Sequence, residues 1–192
     1  EPIVARRAVA MIFGDVQTEI PPDAFIQSTS WGEQTLREYV VAAVNGAPKV
    51  VELFAGCGAF TLPIIQSGSH VIAIDMAQDH LEALSHAARS NGLGERLNVE
   101  ARNLDRRPLA GPELDDVDVV VLDPPRAGAS AQAGLLAQSP IPVVVYVSCN
   151  PQSFARDARK LIDGGYRLET VVPIDQFLWS PHIELVSVFK RP

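Results

Sequence analysis

Short apolar runs, each about the length of a β-strand, recur along the chain from residue 49 onward. They cover residues 49–55, 70–76, 97–103, 117–122, 142–148, 166–174 and 183–190. Apolar residues at helical spacing predict helices between them, over residues 60–66, 78–91 and 154–162. The central runs are apolar almost throughout, which is typical of parallel strands covered by helices on both faces. The pattern therefore predicts an α/β fold with a doubly wound, seven-stranded, mostly parallel sheet.

The first part of the chain follows a different pattern. Residues 8–18 predict a hairpin strand, which a Pro-Pro pair ends, and residues 31–44 are typical of an amphipathic helix. We therefore predict an N-terminal extension, residues 1–48, packed on a catalytic domain formed by residues 49–192.

Composition narrows the class of protein. The 192 residues are 47% hydrophobic and carry a formal net charge of −7, which excludes a disordered chain and suits one buried domain. No apolar run reaches the roughly 18 residues of a membrane span. Cys57 and Cys149 are too few for a disulfide scaffold, and His70, His80 and His86 lack metal spacing. We expect a cytoplasmic protein without a metal or a membrane partner.

The first predicted strand runs into a glycine turn. Gly56 and Gly58 lie between a strand and a helix, where glycines let the backbone approach a ligand closely. Thr61 stands where a dinucleotide-binding motif has its third glycine, so a dinucleotide is less favoured. Asp75 ends the next strand, where a carboxylate can accept both hydroxyls of a ribose. The alternative is that both glycines serve only a tight turn.

Two further motifs follow predicted strands. Asp123 opens Asp-Pro-Pro-Arg, and the two prolines hold its carboxylate at the mouth of the fourth strand. Cys149 lies in Ser-Cys-Asn-Pro, just ahead of a helix. The positive end of that helix dipole is expected to make the Cys149 thiol more acidic and hence more nucleophilic. The alternative for Cys149 is a small buried apolar residue.

Together these motifs resemble known methyltransferases. The glycine turn with the second-strand acid resembles class I S-adenosylmethionine-dependent methyltransferases. Asp-Pro-Pro-Arg, then Val-Ser-Cys-Asn-Pro, then the His-x-Glu of residues 182–184 resemble the RNA uracil-C5 methyltransferase family, which makes 5-methyluridine in tRNA and rRNA. Residues 25–27 resemble the start of its Phe-x-Gln-x-Asn motif. The resemblance implies a Rossmann-like fold, S-adenosyl-L-methionine as cofactor and structured RNA as partner.

The resemblance also implies roles for individual residues. Cys149 would add to C6 of uracil so that C5 can take the methyl group, and Glu184 would remove the C5 proton. Cofactor contacts are implied for Gln27, Phe54, Gly56, Gly58, Asp75, Asn103 and Asp123. The target base must leave its stack, and substrate contacts are expected from Arg126, Phe177 and His182, with Trp179 as a further stacking candidate. Ordinary packing or a surface ion pair is the alternative for these residues.

Other features of the sequence depart from the family. Thr29 replaces the Asn of Phe-x-Gln-x-Asn, and Ala59 follows the second glycine, where Asn is frequent. The chain begins at Glu1 rather than Met, so we expect that an N-terminal RNA-binding module is missing from it. Two groups of basic residues either contact phosphate or only form a solvated surface. They are Arg102, Arg106, Arg107, Arg156, Arg159 and Lys160.

Two other functions remain open from the sequence. One is a methyltransferase acting on cytosine C5 or on a base amino group, against which Arg126 and the Cys149–Glu184 pair argue. The other is a domain that binds S-adenosylmethionine or RNA without turnover, which Thr29 and Ala59 favour and against which the intact Cys149 and Glu184 argue.

Overall fold

The computed structural model describes residues 8–192, so residues 1–7 of the predicted extension lie outside the described residues. The strands are β1 (Ala10–Phe13), β2 (Val16–Glu19), β3 (Lys49–Leu53), β4 (His70–Asp75), β5 (Leu97–Ala101), β6 (Val119–Leu122), β7 (Val143–Ser148), β8 (Arg167–Ile174) and β9 (Glu184–Lys190). The α-helices are α1 (Ser30–Val44), α2 (Thr61–Gln66), α3 (Gln78–Ser90), α4 (Ser130–Leu136) and α5 (Pro151–Asp163).

The main sheet has seven strands in the order β5-β4-β3-β6-β7-β9-β8. The strands from β5 to β7 pair in parallel, whereas β9 runs antiparallel to both β7 and β8. This confirms the predicted doubly wound, mostly parallel sheet. The order of the strands reverses between β3 and β6, and open α/β sheets bind ligands at the carboxyl ends of the strands beside such a switch point.

Apolar layers cover both faces of the sheet. All four residues of β6 are buried. On one face α1, α2 and α3 pack through Leu36, Leu62 and Leu84, and on the other α4 and α5 pack through Leu136 and Leu161. Because the central strands are buried on both faces, their sequences are apolar without alternation.

The described part of the N-terminal segment packs against this sheet domain. β1 and β2 form an antiparallel hairpin, and α1 buries Leu36, Val40 and Val44 in the same apolar layer as α2 and α3. Within residues 8–192, no helix combines the length and the apolar character needed to cross a membrane.

Two helices differ from the sequence prediction. α5 begins at Pro151 rather than at residue 154, because Asn150 caps it: Gln152 N donates to Asn150 Oδ1 at 3.0 Å. α4 has no counterpart among the predicted elements. Its seven residues include a glycine and span too few turns to display a helical period.

Candidate active site

A cavity of about 420 Å³ opens at the carboxyl ends of β3, β4, β6 and β7. Its wall is completed by the first residue of β9 and by residues 25–27 of the N-terminal segment. The predicted site residues that line it are Gln27, Phe54, Gly56, Asp75, Asp123, Arg126, Cys149 and Glu184. Residues from opposite ends of the sequence therefore share one site because the sheet places their strand ends at one edge.

The turn after β3 holds two glycines that serve different purposes. Gly56 has φ +53°, and a Cβ added there would meet no heavy atom of the described chain within 4 Å. Gly58 has φ +93°, but a Cβ there would lie 2.4 Å from Leu84 Cδ1. Gly56 thus leaves open space beside the cavity, whereas Gly58 lets α3 pack against the turn. Phe54, with φ +63°, is a non-glycine residue in the left-handed region, and such strain concentrates at functional sites.

The Asp75 carboxylate holds the glycine turn in place. Its Oδ2 accepts a hydrogen bond from Gly56 N at 2.8 Å, and its Oδ1 accepts one from Ala77 N at 2.9 Å. A carboxylate oxygen has room for a second donor, so these bonds leave Asp75 able to accept ligand hydroxyls as well.

Behind the turn lies a buried acid, Glu52. Thr61 Oγ1 donates to Glu52 Oε2 at 2.5 Å, so the threonine that replaces a third glycine has a structural partner. Burial raises the pKa of Glu52 to about 8, against the effect of the Thr61 hydrogen bond. Glu52 is therefore mainly neutral at pH 7, which makes its burial tolerable.

Two more carboxyl groups face the cavity with raised pKa values. Burial, and then the charge of Glu184, raise the pKa of Asp123 to about 7. Burial raises the pKa of Glu184 to about 7 as well, and a hydrogen bond with Gln176 opposes that rise. Both carboxyl groups therefore change protonation near neutral pH. Such pKa values suit groups that exchange protons with a substrate.

The prediction that the Cys149 thiol is acidic is wrong for this structure. Burial is the largest influence on Cys149 and raises its pKa, and the carboxylates of Glu184 and Asp123 raise it further. A backbone hydrogen bond at Cys149 and the charge of Arg126 act in the opposite direction but are weaker. Cys149 lies two residues before α5, and burial beside two acids nevertheless raises the pKa of its thiol. Cys57 also lines the cavity, and burial raises its pKa to about 11.

Arg126 anchors a cluster at the rim of the cavity. Asn150 Nδ2 donates to the Arg126 carbonyl oxygen at 3.0 Å, which ties the Asp-Pro-Pro-Arg loop to the start of α5. Arg126 Nη2 lies 3.3 Å from His182 Nδ1, and the His182 and Phe177 rings meet edge to face at 6.0 Å. The predicted substrate residues are thus neighbours, although among them only Arg126 lines the cavity.

Asn103 lies away from the cavity lining. Its Oδ1 accepts hydrogen bonds from Asp105 N and Arg106 N, both at 3.1 Å, and its Nδ2 faces Met76 Sδ at 3.4 Å. These contacts form a turn after β5. A role for Asn103 beside the adenine ring stays a prediction.

Most of the basic residues that the sequence groups together are engaged within the chain. Arg102 is buried between Glu100 and Glu113, and Arg107 pairs with Glu100 at 2.6 Å. In α5, Arg156 and Arg159 pair with Asp157 and Asp163, and Lys160 donates to Ser130. These partners favour a structural role over phosphate contact.

Sequence reasoning missed three features around the cavity. Gln176 is buried beside Glu184, and Glu33 is buried in the first turn of α1 with Arg37 Nη1 at 2.6 Å. Neither belongs to a motif, so the sequence offers no signal for them. The third is a group formed by Asp23, Asp79 and His80, whose potential ligand atoms lie within 4.8 Å of one another. Its carboxylates are exposed, and such groups are common without an ion, so no metal is assigned.

A seven-stranded doubly wound sheet with β9 antiparallel between β7 and β8, a glycine turn and a cavity at the switch point is typical of the class I methyltransferase fold. The model of the tRNA (uracil-5-)-methyltransferase family matches residues 14–191. The chain therefore belongs to the tRNA (uracil-5-)-methyltransferase family.

Individual relatives agree with this assignment. An uncharacterised RNA methyltransferase of Mesorhizobium japonicum is 46% identical over 193 residues, which cover 100% of this chain and 46% of the relative. A 23S rRNA (uracil(1939)-C(5))-methyltransferase of Chromohalobacter salexigens is 38% identical over 149 residues, 78% of this chain and 30% of the relative. The chain spans less than half the length of these relatives.

Solved structures show the same fold. The tRNA (uracil-54, C5)-methyltransferase of Pyrococcus abyssi, in complex with S-adenosyl-L-homocysteine, superposes with a TM-score of 0.83 at 29% identity. The match covers 97% of this chain and 45% of that protein. Magnesium protoporphyrin IX methyltransferase from Synechocystis, 19% identical with a TM-score of 0.66 over 84% of this chain and 81% of that one, shares the fold alone.

Proposed function

We propose that this chain forms the catalytic part of an RNA uracil-C5 methyltransferase, which transfers a methyl group from S-adenosylmethionine to C5 of a uridine in tRNA or rRNA. The observation that carries the proposal is the cavity shared by the Cys149 thiol, the Glu184 carboxylate and the glycine turn. Family membership supports the reaction class, and the rRNA and tRNA uracil enzymes among its relatives support a uridine in structured RNA.

The residues of the turn fit the proposed cofactor. S-adenosylmethionine, when bound, supplies an electrophilic methyl group on its sulfonium sulfur. Asp75 retains acceptor capacity for the ribose hydroxyls, and Gly56 leaves open space for close approach. Gln27, Phe54 and Asp123 also line the cavity, and the volume of the cavity suits a ligand of the size of S-adenosylmethionine.

Cys149 is the proposed nucleophile. Its sulfur forms a bond to C6, and the electron pair of the C5–C6 double bond moves toward O4, which leaves C5 able to take the methyl group. Because the pKa of the Cys149 thiol is raised, its proton must pass to a base before the attack. Asp123, with a pKa of about 7, interacts with that thiol and is the proposed acceptor, which leaves the Glu184 carboxylate able to accept a proton in the last step.

Glu184 is the proposed base for the last step. It takes the proton from the methylated C5, the electron pair re-forms the C5–C6 double bond, and the bond from C6 to sulfur breaks. The departing thiolate takes its proton back from Asp123, which restores the Cys149 thiol and leaves 5-methyluridine in the RNA. A buried carboxylate with a pKa of about 7 is suited to accept a proton at neutral pH.

We further propose that the rim of the cavity contacts the RNA. Arg126, held beside His182, presents positive charge to O4 of the uridine or to an adjacent phosphate. Phe177 lies against His182, where an aromatic ring can stack on a base that has left its helix.

We place the proposed reaction in the cytoplasm, because free cysteines such as Cys57 and Cys149 stay reduced there.

The test is covalent trapping with RNA that contains 5-fluorouridine. Fluorine at C5 does not leave as a cation, so methylation would leave Cys149 joined to C6. Incubation with S-adenosylmethionine should give an adduct that survives denaturation, and peptide mapping should locate it at Cys149 rather than Cys57. Absence of an adduct with both this chain and its full-length protein, while S-adenosylmethionine still binds, would contradict the proposal.

Glu184→Gln tests the proposed base separately. On ordinary RNA this variant should accumulate the covalent complex, because addition continues while elimination slows about 100-fold to 10,000-fold. The complex is measured on a denaturing gel against the wild-type protein. Rapid release of 5-methyluridine by the variant would remove Glu184 from this role.

A further inference from the structure

Gln176 lies between the proposed base and the proposed cofactor wall. It follows β8 in the chain and is buried, with 7% of its surface exposed. Its amide forms hydrogen bonds with Gln27 and Thr29, both in the segment before α1. Gln176 also lies two residues after Ile174, which pairs with Glu184 at the start of β9. A buried amide between two segments is costly to misplace, because each of its polar atoms needs a partner.

The bond to Gln27 fixes the orientation of a cavity residue. Gln176 Nε2 donates to Gln27 Oε1 at 2.8 Å, across 149 residues of sequence. This bond leaves both amide protons of Gln27 and one lone pair of its oxygen for a ligand. Gln27 itself lines the cavity. Gln176 therefore fixes the orientation in which the Gln27 amide serves the site.

The protein also makes room for the Gln176 oxygen. Thr29 Oγ1 donates to Gln176 Oε1 at 3.4 Å and accepts from Gly32 N at 2.9 Å, so Thr29 links Gln176 to the start of α1. A Cβ at Gly32 would lie 2.1 Å from Gln176 Oε1. Gly32 thus leaves room for the Gln176 amide in the position where it bonds to Gln27 and Thr29.

The second segment beside Gln176 carries Glu184. In the β8–β9 pair Glu184 lies opposite Ile174, two residues before Gln176. The Gln176 amide acts there as a donor that lowers the pKa of Glu184 and works against burial. The ionisable groups that face Glu184 from neighbouring elements are Asp123 after β6 and Cys149 after β7. Arg126, in the loop after β6, acts on the same thiol. Among these groups, Gln176 is the neutral donor that stabilises the Glu184 anion.

We propose that Gln176 is a positioning residue that holds Glu184 and Gln27 in one hydrogen-bonded unit, so that the base and the cofactor wall are organised together. This inference deepens the proposed function and rests on it for the roles of Glu184 and Gln27. The linkage itself is a property of the chain and is measurable without turnover.

The direct test is a carbon-13 NMR titration of the Glu184 carboxyl in the wild type and in Gln176→Met. Methionine has a similar length but lacks the amide donors and acceptor. The signal is assigned by its loss in Glu184→Gln. Glu184 should titrate at a pH about one unit higher in Gln176→Met, which corresponds to a roughly tenfold smaller charged fraction below neutral pH. An unchanged titration in a folded variant would overturn the inference.

Two further measurements separate positioning from a general loss of structure. Affinity for S-adenosylhomocysteine should fall several-fold in Gln176→Met, because the Gln27 amide loses its orientation. Gln176→Glu, which keeps the chain length but adds a second carboxylate, should displace the Glu184 titration further. The matched control is Gln138→Met on an exposed glutamine that donates to Gly134 O, and it should change neither quantity. Equal effects in Gln138→Met would also overturn the inference.

Activity distinguishes the two proposals. In an active wild type, Gln176→Met should move the rising limb of the pH–rate profile to higher pH, with the rate partly recovered above the limb. A wild-type full-length protein that forms no 5-methyluridine would contradict the proposed function, while the titration and the affinity would still decide the role of Gln176. An active Gln176→Met with an unshifted profile would contradict the inference alone.

Discussion

The Cys149 thiol lies among groups that act on it in opposite directions. Burial, Glu184 and Asp123 raise its pKa, whereas Arg126 and a backbone hydrogen bond lower it. A thiol with a raised pKa is mostly protonated at neutral pH. The thiol proton must therefore pass to a neighbouring carboxylate before the sulfur can attack the uracil base. The reactivity of Cys149 thus depends on the residues around the thiol rather than on its position before a helix.

Replacement of the sulfur by oxygen tests this residue most directly. Cys149→Ser should lower 5-methyluridine formation by more than about a thousandfold, because a hydroxyl remains protonated and is a much weaker nucleophile. The measurement is transfer of labelled methyl groups to RNA, with the unfolding temperature as a control for folding. A folded variant that retains a tenth of the wild-type rate would show that the thiol is structural.

Among the loops, residues 175–183 combine a buried start with an exposed tip. Gln176 is buried, whereas the side chains of Leu178 and Trp179 are exposed. Trp179 has φ +65°, a left-handed conformation that is costly for a bulky residue. An exposed tryptophan on strained backbone near the cavity rim suits stacking on an unpaired base.

Trp179→Ala should therefore weaken RNA binding. Stacking on one base is worth about 1–3 kcal/mol, so the loss should be roughly 5-fold to 150-fold in Kd. Fluorescence anisotropy with a labelled RNA hairpin measures it, and Trp31→Ala, an exposed tryptophan in the first turn of α1, is the matched control. Equal losses in both variants would show that the loop has no special role.

A second element-scale feature joins α5 to the loop after Asp-Pro-Pro-Arg. Asp157 is fully buried, and its Oδ2 accepts from Tyr146 Oη and from Ala129 N, both at 2.8 Å. Gly128, with φ +76°, lies so close that an added Cβ would be 2.5 Å from Asp157 Oδ2. This contact sets the loop that carries Arg126 against the helix that follows Cys149.

Asp157→Ala should be destabilising, because it leaves the buried Tyr146 hydroxyl without its acceptor and Ala129 N with only the longer bond to Tyr146 Oη at 3.2 Å. The expected loss is about 2–4 kcal/mol in the free energy of unfolding. Urea denaturation measures it. Asp163→Ala, which removes an exposed partner of Arg159 on the same helix, should cost much less. Similar losses in both variants would contradict a special role for Asp157.

The sequence predicts elements and strand-end residues well for one physical reason. Strands buried on both faces must be apolar, and Asp123 and Cys149 follow such strands, while Asp75 is the last residue of β4. The topology of the sheet therefore brings the three residues to one edge. The contact between Gln176 and Gln27 depends on side-chain packing between distant segments and leaves no local pattern. The raised pKa of the Cys149 thiol depends on burial, which spacing does not encode.

At the scale of the whole molecule, three carboxyl groups beneath and around the cavity have raised pKa values in the folded state. Burial raises the pKa of Glu52 to about 8, and those of Asp123 and Glu184 to about 7. In the unfolded chain these groups have ordinary pKa values near 4, so between about pH 4 and 8 the folded state binds more protons. Their contribution to stability is therefore complete below about pH 4, declines as the pH rises, and is lost once the pH has passed the folded-state pKa values of about 7 and 8.

Glu52→Gln should remove part of this pH dependence. The amide can still accept from the Thr61 hydroxyl, but it releases no proton, so the decline in unfolding free energy between pH 5 and 9 should become smaller by a few kcal/mol. Urea denaturation at a series of pH values measures the slope. Glu19→Gln, at the exposed end of β2, is the matched control and should keep the wild-type slope. If Glu52→Gln and Glu19→Gln follow the same curve as the wild type, Glu52 is ionised in the folded protein. The inference that Glu52, beneath the glycine turn, is neutral in the folded protein would then be wrong.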